Sequence, residues 1–164
     1  MHFTKTLFGL AASAAAVNAA SVTFWTLDDV ERTVYFTPSV SQVEIEPVTV
    51  NNKQNTTVQF PDQYIGNFYA VKSGEENKPG MLGEVAFGGW NGLTYFDVSA
   101  IVTPTDHDNV KQMWPVGAVT PMSGCENFPC DNAYWAPDDV QTKTTPSVDL
   151  FTTLGSGSTG YSFA

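Results

Sequence analysis

From Ser21 onward, apolar and polar residues alternate in short runs broken by Gly, Pro, Asn and Asp. Alternation with a period of two marks strands with one buried face. Residues 21–25 and 33–36 flank an acidic Asp28-Asp29 turn, and residues 43–50 alternate around Pro47. Residues 51–55 read as a polar turn before a strand over 56–60. Segments 66–72, 83–87 and 93–98 continue the pattern. The runs favour Val, Thr, Tyr and Phe, which suit a pleated, half-buried surface. No segment after residue 20 holds a helical period for three turns. The pattern predicts an all-β domain of two packed sheets, without internal repeats. Beyond Ser99 the alternation weakens, which predicts a long irregular region.

The most informative stretch is 80–114, where Glu84 and Asp97 flank Asn91-Gly92. Asn-Gly between alternating apolar residues is a strong hairpin signal, because a type I′ turn needs positive φ at both central residues. As a two-residue turn it pairs Trp90 with Leu93, Phe87 with Phe96 and Ala86 with Asp97. Glu84 then lies diagonal to Asp97 on the same face, roughly 7–8 Å away. A five-residue loop over 88–92 instead pairs Glu84 with Phe96 and turns the two carboxylates apart.

Gly83-Glu84-Val85-Ala86-Phe87 and Tyr95-Phe96-Asp97-Val98-Ser99 resemble the central "LAEF-L … -YDVS" pattern of thaumatin-like proteins. Asp106-His107-Asp108-Asn109-Val110 matches the following "VDGFNVPM" after an insertion of about four residues. The strand after Phe60 resembles the family's "P--WSGR-W", and Asp131-Asn-Ala-Tyr-Trp-Ala-Pro-Asp-Asp139 resembles its "DAYSYP-DD". The resemblance implies a thaumatin-like two-sheet β-sandwich with an acidic cleft for β-glucan. A closer likeness is to small secreted fungal proteins with few cysteines, some labelled deoxyribonuclease and some regarded as elicitors. Only Glu84 and Asp97 carry over directly. The family's cleft arginine falls on Asn67, and its second cleft aspartate on Val102 or, with the insertion, Asp106.

Residues 1–19 read as a secretory leader, with Lys5, an apolar run over 7–17 and a Val17-Asn18-Ala19 cleavage site. Residues 20–154 form the expected domain, and the Ser- and Gly-rich residues 155–164 a mobile tail. Loss of Lys5 leaves 6 basic against 17 acidic residues, a net charge of −11. Nucleic-acid affinity rests largely on Lys and Arg neutralising phosphate, so neither nucleic acid nor an anionic membrane is an expected partner. Cys125 and Cys130 are the only cysteines, and in a secreted chain they predict a local disulfide. Asn55-Thr56-Thr57 is the only sequon, at a predicted turn, so Asn55 is a glycosylation candidate.

Paired carboxylates suit either recognition of hydroxyl groups or acid–base hydrolysis of glycosides. Trp90, Trp114, Tyr95 and Trp135 are the candidate stacking residues, of which Trp90, at the hairpin tip, is expected to be exposed and Trp114, before Pro115, to pack inward. Asp106-His107-Asp108 lacks the ligand spacing of a calcium loop. A nuclease reading would use His107 as base, which the charge opposes. No cofactor or metal is expected. The function read here is a monomeric, secreted binding protein. Its ligand would be cell-wall β-glucan or another extracellular polysaccharide, held by Glu84, Asp97, Asp106, Tyr95 and Trp90. The alternatives are an apoplastic effector or elicitor that binds a host protein, and a weak glycoside hydrolase or, less favoured, a nuclease.

Overall fold

A computed structural model describes residues 19–39 and 43–161. The expected leader, apart from Ala19, lies outside those residues. The described chain forms eleven strands: β1 (Ala20–Thr26), β2 (Arg32–Pro38), β3 (Val48–Val50), β4 (Thr56–Phe60), β5 (Ile65–Lys72), β6 (Leu82–Ala86), β7 (Thr94–Ser99), β8 (Val110–Pro115), β9 (Ser123–Gly124), β10 (Lys143–Thr145) and β11 (Asp149–Leu154). One single-turn 3₁₀ segment, Trp90–Gly92, is the only helical element among the described residues. The strands make a five-stranded sheet, β4-β1-β11-β8-β9, and a six-stranded sheet, β10-β7-β6-β5-β2-β3. The protein is a single-domain, all-β sandwich, as the alternation predicts.

Apolar positions from both inner faces fill the space between the sheets. Phe24 of β1 meets Phe68 of β5 edge-on at 5.1 Å, and Phe36 of β2 meets Phe60 of β4 at 5.6 Å. Phe60 in turn contacts Tyr64 and Phe87. These rings cross-link strands of both sheets, and burying each Phe is worth about 1.5–3 kcal/mol. The Tyr64 hydroxyl is buried there without a partner, and burial pushes it up to about 12.

A polar knot closes one end of the sandwich. Arg32, the only arginine in the chain, is fully buried. Its guanidinium donates to both oxygens of Asp28, at 2.6 and 2.8 Å, and to the carbonyls of Val30 and Asp108. Its Nε donates to Asn109 Oδ1 at 3.0 Å. All five N–H groups are thereby used, the condition under which a buried guanidinium is tolerated.

Two expectations change. The strand read over 43–50 survives only as β3, because Pro47 has no N–H to give a ladder. The region beyond Ser99 contains β8 and β11, central strands of the five-stranded sheet. Among the described residues after β11, Gly155, Ser156 and Tyr161 touch the domain. Gly155 N–H donates to the Asn109 carbonyl, Ser156 N–H to Asp28, and the Tyr161 ring meets Trp25 and Trp114 edge-on.

Candidate functional site

The hairpin resolves in a register between the two expected ones. Asn91 and Gly92 have positive φ, and Leu93 N–H donates to the Trp90 carbonyl at 3.3 Å, so the local turn forms where the sequence places it. Below it the ladder runs Ala86 to Tyr95, Val85 to Phe96 and Glu84 to Asp97. Two extra residues on the β6 side, around Gly88 at φ +63°, are looped out. Phe87 leaves the ladder, and its N–H bonds the Tyr64 carbonyl. The expected Phe87–Phe96 pair is thus replaced by Val85–Phe96. A shift of two preserves the face, so Glu84 and Asp97 remain together, now directly opposite rather than diagonal.

Successive pairings extend this contact into a row on the outer face of the six-stranded sheet. Thr37 of β2 faces Asn67 of β5, Asn67 faces Glu84, and Glu84 faces Asp97. The row floors a groove of about 400 Å³, walled by Ile65, Tyr95, Ile101, Tyr134 and Thr142. Tyr134 is brought in because its N–H donates to the Val98 carbonyl and its own carbonyl accepts from Ala100 N–H. Its hydroxyl shares a hydrogen bond with Thr142 Oγ1 at 2.8 Å, and Thr142 Oγ1 donates to Asp97 Oδ2 at 3.3 Å.

Asp97 is only 8% exposed, and its Oδ1 has no hydrogen bond of ordinary geometry. Burial pushes its carboxyl up to about 7. The charge of Glu84 and a hydrogen bond with it add to the rise, against the Thr142 hydroxyl and the Lys143 charge. A carboxyl buried against another acid ionises at a cost, so Asp97 keeps its proton until the pH approaches neutrality. That arrangement offers both a donor and acceptors to a hydroxyl-bearing or amide-bearing ligand.

The other sequence candidates separate. Tyr95 lines the groove, and its hydroxyl donates to the Trp90 carbonyl at 3.5 Å. Trp90 stands at the hairpin tip, 75% exposed and outside the groove lining. Trp114 is buried, as expected. Asp106 does not join Glu84 and Asp97. Its carboxylate accepts from Met81 N–H at 2.9 Å and from Asn109 Nδ2 at 2.7 Å, fixing the loop that leads into β8. His107 is tied to the Pro104 carbonyl at 3.0 Å. Among the described residues no cluster of three His, Cys, Asp or Glu side chains could hold a metal ion. Cys125 and Cys130 are bridged, with Cα atoms 6.4 Å apart. Asn55 is exposed, just ahead of edge strand β4. The resemblance had put the family's cleft arginine on Asn67, and sequence reading missed Tyr134 and Thr142. The pairing row sets Asn67 opposite Glu84, and only the tertiary fold brings in Tyr134 and Thr142.

No protein-family model matches the chain. In fold it is similar to the crystal structure of the protein elicitor MoHrip2 from Magnaporthe oryzae. The TM-score is 0.64 at 16% identity, over 84% of this chain and 99% of that one. At that identity the likeness is one of fold. In sequence the chain is similar to the antigenic protein SchS21 of Stachybotrys chartarum, 67% identical over 144 residues, which are 88% of this chain and the whole of that protein. Identity of that order over so much of both chains leaves little room for a different fold or core, and the chain belongs to the family of the antigenic protein SchS21.

Proposed function

We propose that the protein is secreted and acts outside the cell as an effector of the antigen and elicitor kind, engaging a host protein. The observation that carries this reading is Trp90. It is a tryptophan held 75% exposed on a hairpin tip whose turn conformation is fixed by Asn91 and Gly92. A rigid exposed aromatic is the commonest anchor of a protein interface. Ile65, Ile101 and Val140 are also exposed on or near the groove, and Val140 is 90% exposed. The names of the relatives, an antigen and an elicitor, point the same way. Secretion is supported by the leader-like residues 1–19 and by the disulfide, which persists in oxidising compartments. A glycan on Asn55 would sit at the edge of the opposite sheet and leave the groove open.

A second reading has its own support. The Asn67, Glu84 and Asp97 row between Tyr95 and Tyr134 suits an extracellular polysaccharide, the ligand implied by the thaumatin-like resemblance. The test applies the purified mature chain to leaf tissue and reads the oxidative burst. The wild-type chain elicits a dose-dependent response. Trp90→Ala moves the half-maximal dose upward by about tenfold or more, as expected for an anchor worth about 2 kcal/mol. No response to wild type, or an unmoved dose curve, rejects the host-protein reading. Sedimentation with insoluble β-1,3-glucan separates the alternative, since Glu84→Ala lowers glycan capture and leaves the Trp90 effect in place.

A further inference from the structure

A second cavity, larger than the groove, opens over β8 of the five-stranded sheet. It has a volume of about 740 Å³ and lies between β8, the 120–132 loop, Lys143 and Tyr161. Gln112, Pro121, Met122, Cys130 and Tyr161 line it, and Glu126 and Lys143 contribute opposite charges. The host-protein reading makes no use of this cavity.

Gln112 comes from the middle of β8, a strand whose six residues are all buried. It is 1% exposed, and its Oε1 has no hydrogen-bond partner in the protein. Thr153 faces it across the β8–β11 ladder, and the Thr153 hydroxyl is likewise buried and unpartnered. A buried polar group without a partner is disfavoured by about 1–3 kcal/mol, so most such groups are paired. Here two stand side by side on one ladder, and Gln112 of the pair lines the cavity. A single water occupies only about 30 Å³, so the cavity has room for a much larger molecule. Its size falls within the range of small-ligand sites, roughly 300–1,000 Å³.

The walls define the rest of the ligand. Pro121 and Met122 are apolar, and Tyr161 offers a ring already braced edge-on by Trp25 and Trp114. A thioether and an aromatic ring both favour a flat aromatic partner. Glu126 and Lys143 balance each other, so no net charge is called for. A hydroxyl suits the floor whichever way the Gln112 amide is turned, because it both donates and accepts.

We infer that this cavity, floored by Gln112 and walled by Met122 and Tyr161, binds a small neutral aromatic molecule through a single hydroxyl group. The site is floored by β8 of the five-stranded sheet, with Lys143 on the side nearest the acidic groove, and its occupant is a low-molecular-weight cargo.

The test is equilibrium dialysis of the mature chain against 2-naphthol and naphthalene, which differ only in the hydroxyl. The expected result is saturable binding of one 2-naphthol per chain, with naphthalene at least about tenfold weaker, since it leaves the buried amide unpaired. Gln112→Leu collapses that preference to within about twofold while naphthalene binding holds or rises. Tyr161→Ala, at an exposed position near the chain end, weakens both probes. No saturable uptake of 2-naphthol by wild type, equal affinity for the two probes, or an unchanged preference in Gln112→Leu overturns the proposal. Should Gln112→Leu fail to fold, Tyr161→Ala carries the test, and unaltered binding of both probes by that variant overturns it.

Discussion

Asp28 and Asp97 are both withdrawn from water, yet the fold drives them in opposite directions. At Asp28 burial alone would raise the carboxyl. Hydrogen bonds from Arg32, Ser156 and Val30, with the Arg32 charge, outweigh it and hold the group at about 2. At Asp97 burial also raises the carboxyl, but the group across the ladder is Glu84, another acid, and the value reaches about 7. The first aspartate fastens loops together. The second is held in an unfavourable environment on an accessible face, as is typical of residues kept for binding rather than for stability. Partner sign, more than burial, separates a structural carboxylate from a candidate functional one.

The two groups also give stability opposite dependences on pH. A carboxyl with a lowered folded pKa stabilises above its unfolded value and loses that contribution as pH falls through the folded value. Asp28 therefore weakens the fold only on strong acidification, between about 4 and 2. A carboxyl with a raised folded pKa does the reverse. The contribution of Asp97 is complete below about 4 and is lost as pH rises through about 7.

The comparison is broken most severely by removing Asp28. Asp28→Ala leaves the fully buried Arg32 without its counter-charge, which typically costs about 3–5 kcal/mol. A urea melt at pH 7 should show a fall of that size, and a change under about 1 kcal/mol would mean that the knot is not structural. Asp97→Asn keeps the shape and removes the titration. Wild type should lose on the order of 3 kcal/mol more than this variant between pH 4 and pH 7. Parallel pH–stability curves for the two proteins would show that Asp97 is not held protonated. Thr142→Ala sharpens the contrast with the smallest effect. It removes the hydroxyl that favours the charged form of Asp97, so the carboxyl midpoint followed by NMR moves further up. Stability changes by about 1 kcal/mol or less. A midpoint that falls or stays fixed would place Thr142 outside the pair's environment.

β1, β2 and β4–β7 were legible because each has one face in the core and the other toward solvent or loops, which imposes alternation on the sequence. β8 was not, since all six of its residues are buried and they include Lys111 and Gln112. A strand covered on both faces carries no period-two signal. β11 was hidden for a similar reason, its Thr152 and Thr153 being buried polar residues. The Glu84–Asp97 pair was readable even though the hairpin register was not, because an error of two residues leaves side chains on the same face. Asp106 was misplaced because sequence order gives no distance across an irregular loop. The Asp28–Arg32 knot was overlooked, though a signal existed. A lone arginine four residues after an aspartate, at the start of a strand, is a pairing worth testing.

The parallel pairing of β1 with β11 has a consequence for how the molecule is made. Ser21 lies beside Asp149, and its hydroxyl bonds that carboxylate across 128 positions. Synthesis proceeds from the amino end, so the first strand must wait, with one hydrogen-bonding edge unfilled, until nearly the last residue of the domain has emerged. In the six-stranded sheet β2, β3, β5, β6 and β7 can pair as they appear and only edge strand β10 is added late, whereas the five-stranded sheet lacks its central strand until completion. Pairings of such long sequence separation form slowly. An export route that passes the chain through unfolded suits this topology, because it delivers both ends to the far side before the central pair must meet.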